Sequence, residues 1–317
     1  MFLAEIPTNR DRYRLTNVLG RGGFGVVFKA ISALNEKEVA IKIQCRKTAA
    51  VEVDVLQSTA QCVHFPRLID SGELVDGDFV VMQLLGSDLN TIRITLPNRV
   101  FTLSSAIRSS MQLQCLHAIE ELHSVGFLSQ DVKPSNFLVG CPGPQQRTIF
   151  MIDFGISRRF RSKKGSIIGD TSLGWKGTSK YCSLQLHLGE DQSKRDDIES
   201  WFYMTVEFLT GRLPWSHCAR PDRAIVADLK RQVRTSLRKS FLGRCPKQFN
   251  EIFEVVDSWD VKTEPDYDGL LVYLYRILRH DYIEFDDPYD WENLPQFQLK
   301  SSTLPMSAYS QMDTAGL

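Results

Sequence analysis

The sequence lacks the features that mark secreted, membrane-embedded and zinc-clustered proteins. Its seven cysteines are scattered and include no Cys-x-x-Cys pair, which argues against a zinc site or a dithiol redox centre. No segment approaches the roughly 18 uninterrupted apolar residues that a membrane helix needs, and the N-terminus has no basic region followed by an apolar run. We therefore expect a reduced intracellular protein, in the cytoplasm and also in the nucleus, without a membrane anchor.

An excess of either charge is also missing. Lysine plus arginine and aspartate plus glutamate number 38 each, so the formal net charge is zero. A neutral chain gives no bulk electrostatic reason to bind nucleic acid or an anionic membrane. Any charge-driven recognition must therefore be local. The chain has no internal repeat, but its 317 residues are enough to bury a large core and to form two lobes.

The apolar pattern changes character once along the chain. From Tyr13 to about Leu85 apolar residues alternate with polar ones and turn residues lie between the runs, which predicts antiparallel strands and hairpins. The stretch "TAAVEVDVLQSTA" interrupts them with apolar residues at helical spacing. We therefore predict a small sheet with one helix in this part of the chain.

After Gly86 the helical period dominates. The stretches "SSAIRSSMQLQCLHAIEELHSVG" and "DDIESWFYMTVEFLTG" predict amphipathic helices that stop at Gly126 and Gly211. The expected fold class is α+β, with an N-lobe over about 13–85 and a mostly helical C-lobe over about 86–295. Residues 1–12 are predicted to be an N-terminal extension. Residues 296–317 are polar and aperiodic, which predicts a disordered C-terminal tail.

The stretch "LGRGGFGVV" contains a glycine-rich pattern, at Gly20, Gly22 and Gly25. Such a pattern also opens dinucleotide-binding units, and Glu38 lies near the distance at which a ribose-binding acid would be sought. A dinucleotide loop is followed by a helix, whereas 26–30 and 39–43 have the pattern of a strand pair. We therefore predict a hairpin flap whose backbone can approach phosphates. An ordinary glycine hairpin is the alternative.

A lysine follows in "VAIK", residues 39–42. Strand alternation places Ala40 and Lys42 on one face, and a small residue beside a lysine suits a purine next to its phosphates. Glu52, on the predicted helix, can pair with Lys42 and hold its ammonium, whereas the nearby Asp54 is shorter and faces another side. An ordinary surface lysine and a solvated helix charge are the alternatives.

Two polar loops complete the pattern. In "DVKPSN", Asp131 can accept a proton from an attacking hydroxyl, Lys133 can neutralise a transferring phosphoryl group, and Asn136 can offer its carbonyl to magnesium. In "IDFG", Asp153 can chelate magnesium, because that ion prefers hard oxygen ligands. Each loop alone is common. Together with the glycine loop, the lysine and the glutamate, in this order, they are not expected by chance.

In these motifs the chain resembles the eukaryotic protein kinases, whose signature set they match in order over roughly 13–292. Finer features resemble the casein kinase 1 group: "KPSNFLVG", "KGTSKYCS" followed by "SLQ" where most kinases carry Ala-Pro-Glu, and "SKRDDIESWFYM". The segments "HSVGFL", "VMQLLG", "VEFLTGRLPW" and "DPYDWE" are similar to the tau-tubulin kinase branch.

The resemblance implies a bilobal fold that binds ATP and Mg²⁺ in the cleft and phosphorylates serine or threonine, the substrate class for which Lys133 is typical. It implies that Thr178 braces Asp131 and Lys133, and that Asp197 holds the catalytic loop. Metal would be held by Asn136 and Asp153. The implied ATP contacts are the loop Gly20, Gly22, Gly23, Phe24 and Gly25, the walls Val27, Ala40, Leu138 and Ile152, Lys42, the gatekeeper Met82, and the hinge Gln83, Leu84 and Leu85.

The chain departs from the family where most members carry His-Arg before the catalytic aspartate, because it has Ser129 and Gln130. The histidine packs in a column with residues here read as Leu56 and Phe154, so a serine should leave that column looser. Gln130 cannot grip an activation-loop phosphate as arginine does. Supporting changes of this kind can cost about a hundredfold in rate. We expect an active but slowed kinase; the alternative is a nucleotide-binding pseudokinase or scaffold.

The expected partners are protein substrates, including acidic or pre-phosphorylated ones, and no nucleic acid or membrane; the expected state is a monomer. Basic residues that could contact such substrates are Lys176, Lys180, Lys230, Arg231, Arg234, Arg238 and Lys239. Because Gln130 and Val233 stand where the group contributes cations, a full phosphate pocket is not expected. A solvated helix face is the alternative. His187 and His217 are expected to be packing or surface residues.

Overall fold

The computed structural model describes residues 12–110, 114–161, 175–218 and 222–295. The predicted N-terminal extension lies outside these residues except for Arg12, and the predicted tail lies outside them entirely. The described chain has a sheet-rich N-lobe followed by a helical C-lobe, so the α+β prediction is confirmed.

The N-lobe is built on one antiparallel sheet in the order β1-β2-β3-β5-β4. Its strands are β1 (Tyr13–Gly22), β2 (Gly25–Ser32), β3 (Glu38–Gln44), β4 (Leu68–Leu74) and β5 (Gly77–Gln83). Alternation along β3 divides the side chains as predicted. Val39 and Ile41 join a small cluster on one face, while Ala40 joins the main core on the other. The lysine that follows Ile41 therefore points toward the main core.

One helix packs on this sheet. It is α1 (Arg46–Ser58), and its buried side chains are Ala49, Glu52, Val55 and Leu56. Their spacing of three and four residues makes one helical face, which contacts β5 and β4. The helix was predicted from the apolar residues Ala49, Val53, Leu56 and Ala60; of these Ala49 and Leu56 are buried, Val53 is half-buried, and Ala60 is exposed beyond the end of the helix. A glutamate among the buried positions needs a partner inside the protein, because an unpaired buried charge is costly.

The C-lobe contains the remaining helices among the described residues. They are α2 (Leu89–Thr95), α3 (Leu103–Ser110), α4 (Cys115–Ser124), α5 (Leu184–His187), α6 (Lys194–Thr210), α7 (Arg223–Gln232), α8 (Arg238–Leu242), α9 (Gln248–Ser258) and α10 (Tyr267–His280). Short strands pair as β6 (Phe127–Leu128) with β9 (Arg158–Arg159) and β7 (Phe137–Val139) with β8 (Ile149–Met151). None of the described helices has both the length and the apolar character of a membrane span.

The helix α6 is the centre of the C-lobe. Every side chain from Arg195 to Phe208 on it is buried, and Phe202 stacks on Phe253 with ring centroids 5.0 Å apart. It ends at Gly211, whose φ of 77° is the left-handed conformation that glycine adopts without strain. The predicted stop at this residue is confirmed.

The segment 104–126, predicted as a single helix, is not continuous. Its described residues belong to two helices, and Gln114, just before α4, has φ −145° and ψ −117°, which is not helical. The side-chain amide of Gln114 instead bonds the backbone of the β8 region, donating to the carbonyl of Arg147 at 2.7 Å and accepting from the Ile149 amide at 2.8 Å. The end at Gly126 is nearly right, because α4 ends at Ser124 and Gly126 has a φ of 90°.

Candidate active site

Lys42 joins three separate elements at the boundary of the two lobes. Its Nζ lies 2.5 Å from Glu52 Oε2 on α1 and 2.6 Å from Asp153 Oδ1, which follows β8. Lys42 is 5% exposed and Glu52 1% exposed, so neither is a solvated surface charge. Burial by itself lowers the pKa of Lys42, but the two carboxylates more than offset it, and the pKa is raised above its ordinary value. The lysine is therefore a fixed cation.

The two acidic residues of α1 have different partners. Glu52 Oε2 accepts hydrogen bonds from Lys42 and, at 2.8 Å, from Gln44 Nε2. Asp54 lies on another side of the helix and binds the guanidinium of Arg159 at 2.8 Å. The choice of Glu52 over Asp54 is confirmed, and it follows from helix geometry, since residues two apart face different directions.

The glycine-rich loop is the turn of the β1–β2 hairpin, closed by the pair Gly22 and Gly25. A strand follows the loop, so the dinucleotide alternative is wrong. Gly25 has a φ of 143°, and a Cβ there would lie 2.1 Å from the carbonyl oxygen of Ile43. Only glycine fits that position. At Gly22 and Gly23 an added Cβ would meet nothing within 4 Å, so the backbone of the turn is uncovered.

The loop before Asp131 is held from below by Asp197, in the first turn of α6. The carboxylate of Asp197 accepts from the backbone amides of Ser129 at 2.7 Å and Gln130 at 3.0 Å, as the resemblance predicts. It also lies 2.9 Å from His123 Nε2, and His123 Nδ1 lies 2.5 Å from the hydroxyl of Tyr267. The anchor is fully internal, with Asp197 2% exposed.

Both carboxylate oxygens of Asp131 are held. Lys133 Nζ donates to Oδ2 at 2.5 Å, and Thr178 Oγ1 donates to Oδ1 at 2.7 Å. Lys133 Nζ also donates to Thr178 Oγ1 at 3.4 Å. Asn136 Nδ2 donates to the backbone carbonyl of Asp131 at 3.0 Å. Asp131 is 5% exposed. The structure thus brings the predicted "DVKPSN" residues and Thr178 into one hydrogen-bonded group.

Asn136 and Asp153 lie at the ends of two paired strands. Phe137 of β7 pairs with Met151 of β8, and the amide of Ile152 donates to the carbonyl of Asn136 at 2.9 Å. Because the side-chain nitrogen of Asn136 is used on Asp131, its side-chain oxygen is left as an acceptor. The side-chain oxygens of Asn136 and Asp153 are of the kind that suits Mg²⁺, which is commonly held by one or two protein oxygens together with substrate phosphates. The described residues contain no cluster of three or more His, Cys, Asp or Glu that could hold a metal by itself.

The residues predicted to surround a purine lie on the strands β2, β3, β5 and β7, in the hinge after β5, and just after β8. Val27, Ala40, Met82 and Leu84 pack in the same apolar cluster. Leu138 and Ile152 are half-buried and stay outside that cluster. Register places Gln83 beside Val39 and Met82 beside Ala40, and Leu85, next in the hinge, is half-buried. The hinge is tied to the C-lobe by the bond from the Gly86 amide to the Val139 carbonyl, at 2.8 Å.

Ser129 and Gln130 are both buried, at 1% and 5% exposure. Gln130 has a φ of 63°, and its Nε2 donates to Gln192 Oε1 at 2.8 Å. Its own Oε1 is buried without a partner among the described residues. Nearby, Phe154 stacks on Phe65 with ring centroids 5.5 Å apart. The predicted looseness of the column beside Ser129 stays a prediction.

The basic residues predicted to meet acidic substrates are largely occupied inside the protein. Lys230 is 0% exposed, and its Nζ donates to the carbonyls of Ser179 at 3.0 Å and Cys182 at 2.5 Å. Arg234 binds Glu199 at 2.9 Å. For these two cations both the phosphate-contact and the solvated-face interpretations are wrong, because Lys230 on α7 and Arg234 just after its end are both turned toward partners inside the protein.

The other five predicted cations differ in their surroundings. Lys180 binds Glu207 at 2.5 Å and Arg238 binds Glu254 at 3.0 Å, so both are paired. Lys176 is half-buried, whereas Arg231 and Lys239 are exposed. His187 is half-buried against Trp175 and His217 is exposed, so the packing and surface interpretation of the two histidines is confirmed.

Sequence reasoning missed several residues that support the site. His123, Tyr267 and Gln192 act through long-range side-chain bonds, and Phe65 through its stacking on Phe154. They lie far along the chain from the residues they support. Only the aromatic Phe65, in a segment between predicted elements, carries any local sign that it is packed.

Comparison with known proteins decides the family. Residues 13–263 match the protein kinase domain. The chain belongs to the protein kinase family. It is 32% identical to serine/threonine-protein kinase spe-6 of Caenorhabditis elegans over 95% of this chain and 80% of that protein. It is 31% identical to casein kinase I homolog 1 of Saccharomyces cerevisiae and 30% identical to casein kinase I homolog RAG8 of Kluyveromyces lactis, each over 89% of this chain.

This kinase spans about half the length of the casein kinase I relatives, covering 53% and 54% of them. The resemblance to protein kinases and to the casein kinase 1 group is confirmed by these matches. The similarity to the tau-tubulin kinase branch stays a prediction.

Proposed function

We propose that this kinase transfers the terminal phosphoryl group of Mg-ATP to serine or threonine hydroxyls of proteins. The observation that carries the proposal is that a lysine and an aspartate are each held in place by two hydrogen-bonding partners. Lys42 is fixed between Glu52 and Asp153, and Asp131 is fixed between Lys133 and Thr178. Phosphoryl transfer depends mostly on positioning and charge, and these two groups supply both.

The nucleotide would lie between the lobes. The uncovered backbone of the glycine turn and the fixed ammonium of Lys42 would contact its phosphates, while Val27, Ala40, Met82, Leu138, Ile152 and the hinge 83–85 would surround its base. Asp153 and Asn136 would hold Mg²⁺, which when bound would neutralise charge on the phosphate oxygens.

The substrate hydroxyl would meet Asp131. Because Thr178 and Lys133 each occupy one carboxylate oxygen, Asp131 is held in one orientation in which it can align the hydroxyl and accept its proton. The ammonium of Lys133 would offset negative charge on the transferred group. No residue of this mechanism is missing from the chain.

The substitutions before Asp131 leave the anchor of the loop in place. Asp197 accepts from the backbone amides of Ser129 and Gln130, so this contact does not use the side chains at these two positions. The pseudokinase alternative has one observation in its favour: Gln130 combines a positive φ with a buried oxygen that lacks a described partner. Such features cost stability in the loop. Because the anchor at Asp197 is kept while Gln130 weakens the loop, we expect a slowed enzyme rather than an inactive one.

The test is transfer of label from ATP with Mg²⁺ to casein and to a serine/threonine peptide library, by wild type and Asp131→Asn. We expect transfer by the wild type that falls about 10²–10⁴-fold in the variant. A double variant, Ser129→His with Gln130→Arg, separates the alternatives. Measurable wild-type transfer that this variant accelerates would support a slowed kinase, whereas nucleotide binding without transfer by the wild type would support the pseudokinase.

A further inference from the structure

A cavity of about 610 Å³ opens in the C-lobe, away from the proposed active site. It lies between the end of α6, the turn 212–217 and α8. Its lining includes three cations, Arg212, Lys239 and Arg244, and an apolar floor of Leu213, Pro214 and Phe241. A smaller cavity of about 400 Å³ adjoins it, sharing Lys239 and Gly243. We call the larger cavity the basic groove.

The charge of the basic groove is not compensated by the described residues. Neither cavity is lined by an aspartate or glutamate. Arg212, Lys239 and Arg244 are exposed, and none of their side chains makes a hydrogen bond or ion pair with a described residue. Three like charges around one cavity repel each other unless an anion is present, so the groove is electrostatically suited to a negative ligand.

The sequence around the groove is also strongly basic. Between Arg212 and Lys247 there are ten lysines and arginines and two aspartates, in a chain that balances 38 cations with 38 anions. Several of these cations serve inside the fold, as Lys230 does on backbone carbonyls and Arg234 on Glu199. The excess that remains on the surface therefore includes the three cations of the basic groove.

The walls of the groove are rigid. Leu213 and Phe241 are 1% and 3% exposed, and the Leu213 amide donates to Ser216 Oγ at 2.9 Å. Trp215, in the same turn, donates from its indole to the carbonyl of Lys180 at 2.7 Å, which ties the turn to the segment beside Thr178. A site with preset walls loses less ordering entropy when a ligand binds.

The shape of the groove selects the kind of anion. Single-stranded nucleic acid is usually held by several exposed aromatic faces. The lining has one Phe, Tyr or Trp side chain, Phe241, which is buried, and its one exposed ring is the imidazole of His217. Membrane-surface binding uses apolar side chains that protrude, whereas Leu213 and Phe241 are recessed. A concave site with cations at the rim and an apolar floor suits a peptide with acidic side chains.

We propose that the basic groove binds an acidic segment of a partner protein, through carboxylate or phosphate groups that contact Arg212, Lys239 and Arg244. The groove would act as a docking site separate from the site of phosphoryl transfer. The inference does not depend on catalysis, because docking and turnover are measured independently.

The experiment is fluorescence anisotropy with two labelled probes, a peptide of alternating Glu and Ala and the same peptide with phosphoserine in place of Glu. The full chain is compared with a variant carrying Arg212→Glu, Lys239→Glu and Arg244→Glu. We expect at least one probe to bind, with a Kd raised at least tenfold in the variant and also raised by salt, because salt screens exposed charges. Which probe binds more tightly distinguishes carboxylate from phosphate recognition.

The matched control reverses three exposed cations elsewhere, with Arg14→Glu, Lys37→Glu and Lys262→Glu, and should bind as the wild type does. If the triple reversal unfolds, the neutral variant with Gln at 212, 239 and 244 replaces it. Equal weakening in the control, or full binding by the groove variant, would overturn the proposal. The proposal would also be overturned if neither peptide bound the wild type but single-stranded RNA or phosphatidylserine vesicles did, with that binding lost in the groove variant. An inactive Asp131→Asn protein should still bind the probes, so failure of the proposed function is distinguishable.

Discussion

Replacing Glu52 by Gln tests the buried network at its centre. The change keeps the shape of the side chain but removes the charge that lies 2.5 Å from Lys42 Nζ. Because Lys42 is 5% exposed, water can do little to solvate its ammonium group once the attraction to Glu52 is lost. Removing one partner of a buried ion pair usually destabilises a protein by about 3–5 kcal/mol. Asp153, at 2.6 Å, still faces the ammonium and reduces this cost.

With one of two carboxylates retained, we expect the free energy of unfolding to fall by roughly 1–3 kcal/mol. The phosphoryl transfer rate should fall even under conditions where the variant stays folded. Without the charge of Glu52, Lys42 would turn toward Asp153 and would no longer be fixed in position to contact the phosphates. Urea unfolding gives the first quantity, and steady-state transfer at saturating ATP gives the second.

The matched control is Asp54→Asn, on the same helix. Asp54 binds Arg159 and does not contact Lys42, so this variant should lose less than about 1 kcal/mol and keep its transfer rate. Wild-type behaviour of Glu52→Gln in both assays would show that the ion pair with Glu52 neither stabilises the fold nor holds Lys42 for transfer. An equal loss of activity in Asp54→Asn would contradict the prediction as well, since the effect would then belong to the helix rather than to the ion pair.

Three further predictions follow from local geometry. Gly25→Ala should destabilise the fold by about 1–3 kcal/mol in thermal unfolding, because the φ is 143° and the new Cβ would lie 2.1 Å from the carbonyl oxygen of Ile43. Gly22→Ala should not destabilise it, since a Cβ there meets nothing within 4 Å; equal effects would contradict this. Thr178→Val should lower kcat about 10–100-fold with little change in the KM for ATP, and Thr178→Ser should restore it, since only the hydroxyl bonds Asp131. Burial raises the pKa of Asp196 from 3.8 to about 6. Between about pH 4 and 6 the folded state therefore keeps Asp196 protonated while the unfolded state loses the proton. The free energy of unfolding should fall as pH rises through this range. Asp196→Asn should remove roughly 3 kcal/mol of that pH dependence in chemical denaturation at several pH values; an unchanged slope would be the contrary result.

The sequence predicts best where a short stretch decides the structure. Alternation along β3 gave the inward face of Ala40 and Lys42, and helical spacing on α1 gave Glu52 rather than Asp54 as the partner. Gly211 ended α6 as predicted, because a left-handed residue closes a helix with little strain. These signals depend on backbone periodicity, which a few neighbouring residues determine.

The sequence predicts poorly where distant residues decide the environment of a side chain. Lys230 looks like a solvated helix cation, yet it is fully buried, and the carbonyls of Ser179 and Cys182, some fifty positions earlier, accept hydrogen bonds from its ammonium group. The bond between Gln130 and Gln192 and the contact of His123 with Tyr267 are of the same kind. At the break, the side chain of Gln114 bonds the backbone of the β8 region, a contact that no helical period can reveal.

Phosphoryl transfer by this kinase can be measured directly as a single turnover from ATP labelled on its terminal phosphate, with excess enzyme, Mg²⁺ and one peptide taken from the library. Wild type and Asp131→Asn are compared after nucleotide binding by both has been measured. We expect the wild type to label serine or threonine of the peptide, and the variant to do so at least a hundredfold more slowly. Equal binding by both proteins, with no transfer by the wild type above the variant, would contradict it.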